Sequence, residues 1–209
     1  MSIRAMRRNA FAMSLALFVA ACATTMTPTS AVDPLEPLNR AAFRFNEPLD
    51  RDIIKPMVRA YLELPRGVRY PVTSFFNNIE DFFSAVNGML QGKPDKAGHD
   101  AGRVIVNSFF GLGGLIDFAS EAGIPRGEED FGQTFAVWGA PAGPYLFIPL
   151  FGPSTGRDAT GFVVRYFLSP IPQIESEALQ WSLTGLGYVE ARSQALEAQS
   201  LAEGASLDP

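Results

Sequence analysis

The sequence predicts a mainly α-helical protein, and three observations carry that prediction. Apolar residues recur at helical spacing in two runs, one from Ile79 to Leu90 and one from Ala97 to Phe109. The 16 prolines and 19 glycines cut the 209 residues into lengths that suit short helices. Strand signals, meaning period-two alternation among β-branched and aromatic residues, are weak throughout. No internal repeat or low-complexity tract is visible, and the length beyond the leader suits one domain.

The chain opens with Arg4, Arg7 and Arg8, followed by an apolar run from Ala10 to Ala20 that is too short to span a bilayer. That is the pattern of a secretory signal. It runs straight into Val19-Ala20-Ala21-Cys22, which resembles a bacterial lipobox. Residues 1–21 are therefore expected to be removed and Cys22 to be acylated. As the only cysteine, Cys22 has no disulfide partner within the chain. Three acyl chains exceed the two signals that stable anchoring requires. Ala23 follows, not the aspartate that retains bacterial lipoproteins at the inner membrane, so the lipoprotein rule implies the outer membrane. Residues 22–32, rich in Thr, Ser and Pro, read as a short tether. Without the three leader arginines, 14 basic residues face 22 acidic ones, a balance that argues against nucleic acid as a partner.

A helical domain is expected over residues 33–203. A first helix carrying Phe43 and Phe45 should end at Pro48, and a second, Leu49 to Leu64, should kink or break at Pro56. Asn78, with Asp81 behind it, reads as the N-cap of a helix that presents Ile79, Phe82, Phe83, Val86, Met89 and Leu90 on one face and stops at Gly92. Pro94 opens the next helix, whose apolar side is Ala97, Ala101, Val104, Ile105 and Phe109, and Gly111 ends it. Glu128 to Trp138 suits a short helix, and Tyr145 to Leu150 an extended segment. Ser154 or Thr155 can cap a helix running to Leu168, and a more polar helix should occupy Ile174 to Ala202.

The segment from Phe131 to Gly156 has no charged residue, yet prolines and glycines interrupt it repeatedly. It is not a membrane-spanning helix, because prolines at 141, 144 and 149 would break one. Nor is it an ordinary loop, given Phe135, Trp138, Tyr145, Phe147 and Phe151. A shorter relative follows Gly111, with Asp117 as its first charge. The 17 phenylalanines exceed what the helix faces require. On composition alone a dense core accounts for that surplus better than membrane contact does.

Catalytic chemistry finds little support. Gly152-Pro153-Ser154-Thr155-Gly156 fits the G-x-S-x-G pattern of a serine esterase, but the only histidine, His99, precedes Ser154 in the chain. Ser154 fits better as a helix cap. His99 reads as a surface residue on a helix and cannot build a histidine metal site alone. Glu128, Glu129 and Asp130 read as a solvated helix N-terminus, and no cofactor motif is present.

Five segments together carry a resemblance: DPLEPLNRAAFRFNEPLD from Asp33, NGMLQGKP from Asn87, RVIVNSFFGLGGLIDFA from Arg103, FGQTFAVWG from Phe131 and GPYLFIPLFGPSTGRD from Gly143. In this order they resemble the MlaA (VacJ) outer-membrane lipoproteins over nearly the whole chain beyond the leader. The resemblance implies a ring-like assembly of short amphipathic helices embedded in the periplasmic leaflet of the outer membrane. It implies a non-enzymatic channel, beside a trimeric porin, that removes phospholipids from the outer leaflet and hands them to the periplasmic carrier MlaC. The alternative is a porin-associated lipoprotein without transport. The resemblance shifts the Phe-rich faces toward the bilayer interface. The apolar path is assigned to Phe109, Phe110, Leu112, Leu115, Phe131, Phe135, Trp138, Tyr145, Phe147 and Phe151, with Arg103, Gln133 and Arg157 as head-group contacts. Family members continue past a similar S-x-D-P into a further segment, so residues 204–209 are expected to be a short end that lacks the family tail.

Overall fold

The computed structural model describes residues 33–206, with side chains described through Leu201. Cys22, the leader over 1–21, the tether over 22–32 and the last residues 207–209 lie outside the described part. Within it the prediction of a mainly helical chain holds. The helices are α1 Glu36–Leu49, α2 Lys55–Leu62, α3 Arg66–Leu90, α4 Pro94–Phe109, α5 Phe118–Glu121, α6 Phe131–Val137, α7 Gly156–Leu168 and α8 Glu177–Ser206. Strands β1 Tyr145–Ile148 and β2 Gly152–Thr155 form one antiparallel pair.

The chain divides into two compact units, the smaller holding α1 up to Pro48 and Gly143–Gly156, the larger Leu49–Ala142 and the chain from Arg157 on. In the smaller unit Asn39, buried on α1, ties helix to hairpin. Its Nδ2 donates to the Tyr145 carbonyl at 3.0 Å, and its Oδ1 accepts from the Phe147 N–H at 2.8 Å. Phe43 meets the Phe147 ring edge-on at 5.4 Å. The extended segment was legible in the sequence, but its partner strand was not. Pro153 lies in β2, where a two-stranded sheet leaves every strand an edge and tolerates the missing donor. Ser154 pairs with Leu146 and donates its hydroxyl to the Thr155 carbonyl at 3.3 Å. It is thus a strand residue and neither the helix cap nor the strained elbow of a hydrolase.

Two expected breaks are displaced. Pro48 does not end α1. The helix runs to Leu49 and widens into a π turn, Asp50–Ile54, where the Lys55 N–H bonds the Asp50 carbonyl. The wider turn lies between Pro48 and Pro56, so helical chain accommodates two absent donors without stopping, and Pro56 falls in the first turn of α2. Asn78 is not an N-cap either, because α3 begins twelve residues earlier, at Arg66, after Pro65. The missing half contains Pro71, Val72 and Thr73, poor helix formers on their own, but α2 and α8 hold it. Buried Glu190 of α8 accepts from Tyr61 Oη at 2.6 Å and from Thr73 Oγ1 at 2.7 Å, and Gly187 lets α8 approach the Phe76 ring. Elsewhere the reading stands: α3 stops before Gly92, α4 starts at Pro94, α6 falls inside Glu128 to Trp138 and α7 ends at Leu168. Helix α8 runs past Ala202 to Ser206.

Candidate functional site

Helices α3 and α4 are joined by three residues and lie as an antiparallel pair. The faces they turn toward each other are polar. Buried on α3 are Asn78, Asp81, Ser84 and Asn87, and on α4 Asp100, Arg103 and Asn107. Arg103, only 1% exposed, is the centre of this interior. Its Nε donates to Asp81 Oδ2 at 2.9 Å, its Nη2 to Asp117 Oδ2 at 3.0 Å, and its Nη1 to Ser120 Oγ and to the Ile124 carbonyl at 3.1 and 3.0 Å. Arg126 reaches the other Asp81 oxygen at 2.7 Å.

Asp117 accepts from the Asn107 amide at 2.9 Å and from the Ser120 N–H at 3.0 Å, where it caps α5. Burial works to raise its pKa, but the Ser120, Asn107 and Arg103 donors prevail and draw it down to about 2. For Asp81, wholly buried, burial outweighs both arginines and pushes the carboxyl up. Asp100 is held by Ser84 Oγ at 2.6 Å and by the Gly127 N–H at 2.7 Å, which fixes the segment leading into α6. The Thr134 hydroxyl of α6 donates to Asn87 Oδ1 at 2.7 Å. Nearly every donor and acceptor of this interior is answered by another side chain or by a loop backbone group, as burial demands.

The outward surface is the reverse. Phe82, Met89 and Leu90 on α3, Ile105 and Phe109 on α4, and Val137 and Trp138 at the end of α6 are exposed. Past α4 the chain turns through Gly111, Gly113 and Gly114, and Leu112 is itself left-handed at φ 54°. A Cβ on Gly111 would stand 2.1 Å from the Ile116 carbonyl oxygen, so this turn requires glycine. It presents Phe110, Leu112 and Leu115 to the outside beside Phe109, which is 81% exposed. Among the described residues six apolar side chains are buried against fourteen polar ones, while twenty-eight large apolar side chains are exposed. A water-soluble domain has the opposite arrangement.

The MlaA lipoprotein family model matches residues 31–209. The chain belongs to the MlaA lipoprotein family. It is 31% identical over 211 residues to the intermembrane phospholipid transport system lipoprotein MlaA of Escherichia coli, covering 98% of this chain and 82% of that one. The protein of the same name from Haemophilus influenzae is 32% identical, covering 78% and 68%. An uncharacterized Rickettsia felis protein is 38% identical over 66% of this chain and 56% of its own length, so the chain spans little more than half of such relatives. A structure solved in work on the structural basis for maintenance of bacterial outer membrane lipid asymmetry superposes with a TM-score of 0.68 at 31% identity, covering 81% of this chain and 87% of that one.

Against this MlaA-family frame the residues singled out in the sequence fall into three groups. Phe109, Phe110, Leu112, Leu115, Trp138, Tyr145 and Phe151 are exposed. Phe135 and Phe147 are half-buried; Phe135 stands between Phe131 and Trp138 with ring centroids 6.4 and 6.0 Å away. Phe131 is buried against Phe83, a core residue and not part of an open wall. Of the polar candidates, Arg103 is sealed in the ion network and offers no donor to a head group. Gln133 is exposed and donates to the Glu128 carbonyl, and Arg157 pairs with Asp158 at 3.2 Å. His99 is exposed, as expected. Glu129 is not solvated. It is buried between Lys93 at 2.8 Å and Lys96 at 3.0 Å, which hold its pKa down. Sequence reading missed Asp81, Asn107, Asp117 and Arg126. Asp81 and Asn107 were signalled by polar stripes beside the apolar ones, Asn78, Asp81, Ser84 and Asn87 on α3 and Asp100, Arg103 and Asn107 on α4, while Asp117 and Arg126 lie outside both helices and left no signal.

Proposed function

We propose that the protein is an outer-membrane lipoprotein that gives phospholipids a passive path out of the outer leaflet and passes them to a soluble periplasmic carrier, so preserving lipid asymmetry. The observation that carries this reading is the inverted polarity of the larger unit. Polar groups that satisfy one another inside and apolar side chains outside are what a bilayer requires of an embedded protein. No helix among the described residues is long and apolar enough to cross a membrane. The proposed seat is accordingly one leaflet, the periplasmic one, with acylated Cys22 as the anchor.

A phospholipid crossing the bilayer carries a charged head group through a region hostile to charge, while its tails need apolar cover. Phe109, Phe110, Leu112, Leu115 and Trp138 supply such cover, as do Tyr145, Phe147 and Phe151 of the hairpin, and Gln133 and Arg157 are head-group contacts in this reading. The ring-like assembly, the neighbouring trimeric porin and the carrier MlaC belong to the same proposal and rest on family membership. No covalent step is involved. Direction comes from the acceptor, since a passive path has none of its own. The test is complementation of a Gram-negative strain lacking its own family member, reading phospholipid exposure on the outer leaflet and lipid transfer to a soluble periplasmic acceptor. Restored asymmetry and transfer are expected. A chain that reaches the outer membrane and co-purifies with porin, yet lowers exposure not at all, would be a porin-associated lipoprotein without transport.

A further inference from the structure

Two hollows open along α4, and the same pair of segments borders both. One, of about 460 Å³, is lined by Lys96 and His99 of α4 and by Pro125, Arg126, Gly127 and Glu128. The other, of about 440 Å³, is lined by Val106 and Phe110 of α4 or just past it and by Phe118 and Ala122 of the α5 region. Positions 96, 99, 103, 106 and 110 follow one another at helical spacing, so both hollows lie on a single stripe of α4. Arg103, sealed beneath Ser120 and Ile124, is the midpoint of that stripe.

Polarity changes sign along the stripe. At its first end Lys96 and Lys93 share the one carboxylate of Glu129, which leaves a positive charge over. His99 and part of Arg126 are also open there, and the exposed Glu128 carboxylate is the single acid in the lining. At its second end every lining side chain is apolar. From Lys96 to Phe110 the helical rise is about 21 Å, close to the roughly 20 Å that one leaflet allots to a lipid with its head group.

We infer that a single phospholipid with a zwitterionic head group lies along α4, its phosphate at Lys96, His99 and Arg126, its ammonium at Glu128, and an acyl chain in the hollow of Val106, Phe110, Phe118 and Ala122. Charge of both signs at one end and none at the other fits this occupant. A purely anionic lipid leaves Glu128 with no cation to meet, and a fatty acid supplies neither the phosphate nor the ammonium. This placement rests on the lipid-transport reading and names where within it the lipid is held.

The test uses the full chain in detergent, exposed to equal amounts of phosphatidylethanolamine and phosphatidylglycerol, with bound lipid counted by native mass spectrometry. Wild type should hold phosphatidylethanolamine in excess. Glu128→Gln, a change at an exposed side chain, should erase that preference by lowering bound phosphatidylethanolamine and raising bound phosphatidylglycerol. Lys96→Gln combined with His99→Gln should lower total bound lipid by about tenfold, the scale of one charge-assisted hydrogen bond. Phe110→Ser should lower it for both lipids alike, with helical content by circular dichroism unchanged in all variants. If wild type binds and transfers lipid while these variants keep its amount and ratio, the track along α4 is wrong and the transport reading stands. If wild type neither retains nor transfers lipid, both fall.

Discussion

Arg103 illustrates what a residue's charge does and does not reveal. As a cation in an apolar run it reads as a head-group contact, yet its donors go to Asp81, Asp117, Ser120 and Ile124 inside the protein. The sequence supplies the charge; burial depends on which face of α4 meets α3. Replacing Arg103 with Leu should cost on the order of 3–5 kcal/mol, because Asp81 and Asp117 lose a buried partner. Denaturant unfolding in detergent reads this directly. The same network has a pH signature. The folded pKa of Asp117 is about 2, below its ordinary 3.8, so the ionised form favours the folded state. That contribution is complete above about pH 5 and disappears as pH falls from there toward 2. Thermal midpoints should therefore drop across that window in wild type, and an Asp117→Asn protein should show a shallower drop.

At the scale of elements, helix ends marked by glycine and the start of α4 at Pro94 were readable, whereas the breaks expected at Pro48 and Pro56 did not materialise. Gly92 and Gly111 stop α3 and α4 because each backbone turn there depends on a missing side chain. Pro48, Pro56 and Pro71 all lie within or against continuous helix, because a π turn and the docking of α8 compensate locally. The approach of α6 to α7 left no sequence signal, since it depends on two glycines that meet only in the fold. A Cβ on Gly161 would lie 2.6 Å from the Gly132 nitrogen, which is backbone and cannot give way. Gly161→Val should destabilise by roughly 1–3 kcal/mol through overpacking. On α4, Gly98 has nothing within 4 Å of an added Cβ, so Gly98→Ala should stabilise by about 0.5–1 kcal/mol. Paired unfolding curves of the two variants separate close packing from helix propensity.

For the whole molecule, amphipathic periodicity announces two faces per helix but not which one is inward. Composition favoured a dense aromatic core, and the structure buries asparagine, aspartate and arginine along α3 and α4 while Phe82, Ile105 and Phe109 stay outside. In the proposed membrane setting the difference has a physical origin. In water the apolar stripe drives helix pairing, whereas in lipid tails it gains nothing from pairing and hydrogen bonds between polar stripes join the helices instead. Exposed and buried phenylalanines should consequently answer the same substitution in opposite ways. Phe109→Asp with Phe110→Asp changes two exposed side chains, so helical content in detergent should be retained. Each charge at membrane depth costs about 2.5–3.5 kcal/mol, so binding to phospholipid vesicles by a Cys22→Ser form should fall at least tenfold. Phe131→Asp places a carboxylate against Phe83 and should abolish the folded state before binding can be measured. Vesicle flotation and circular dichroism on the same samples distinguish the outcomes. Unfolding by the first pair would place Phe109 and Phe110 in a core after all, and undiminished binding would place the membrane face elsewhere on the surface.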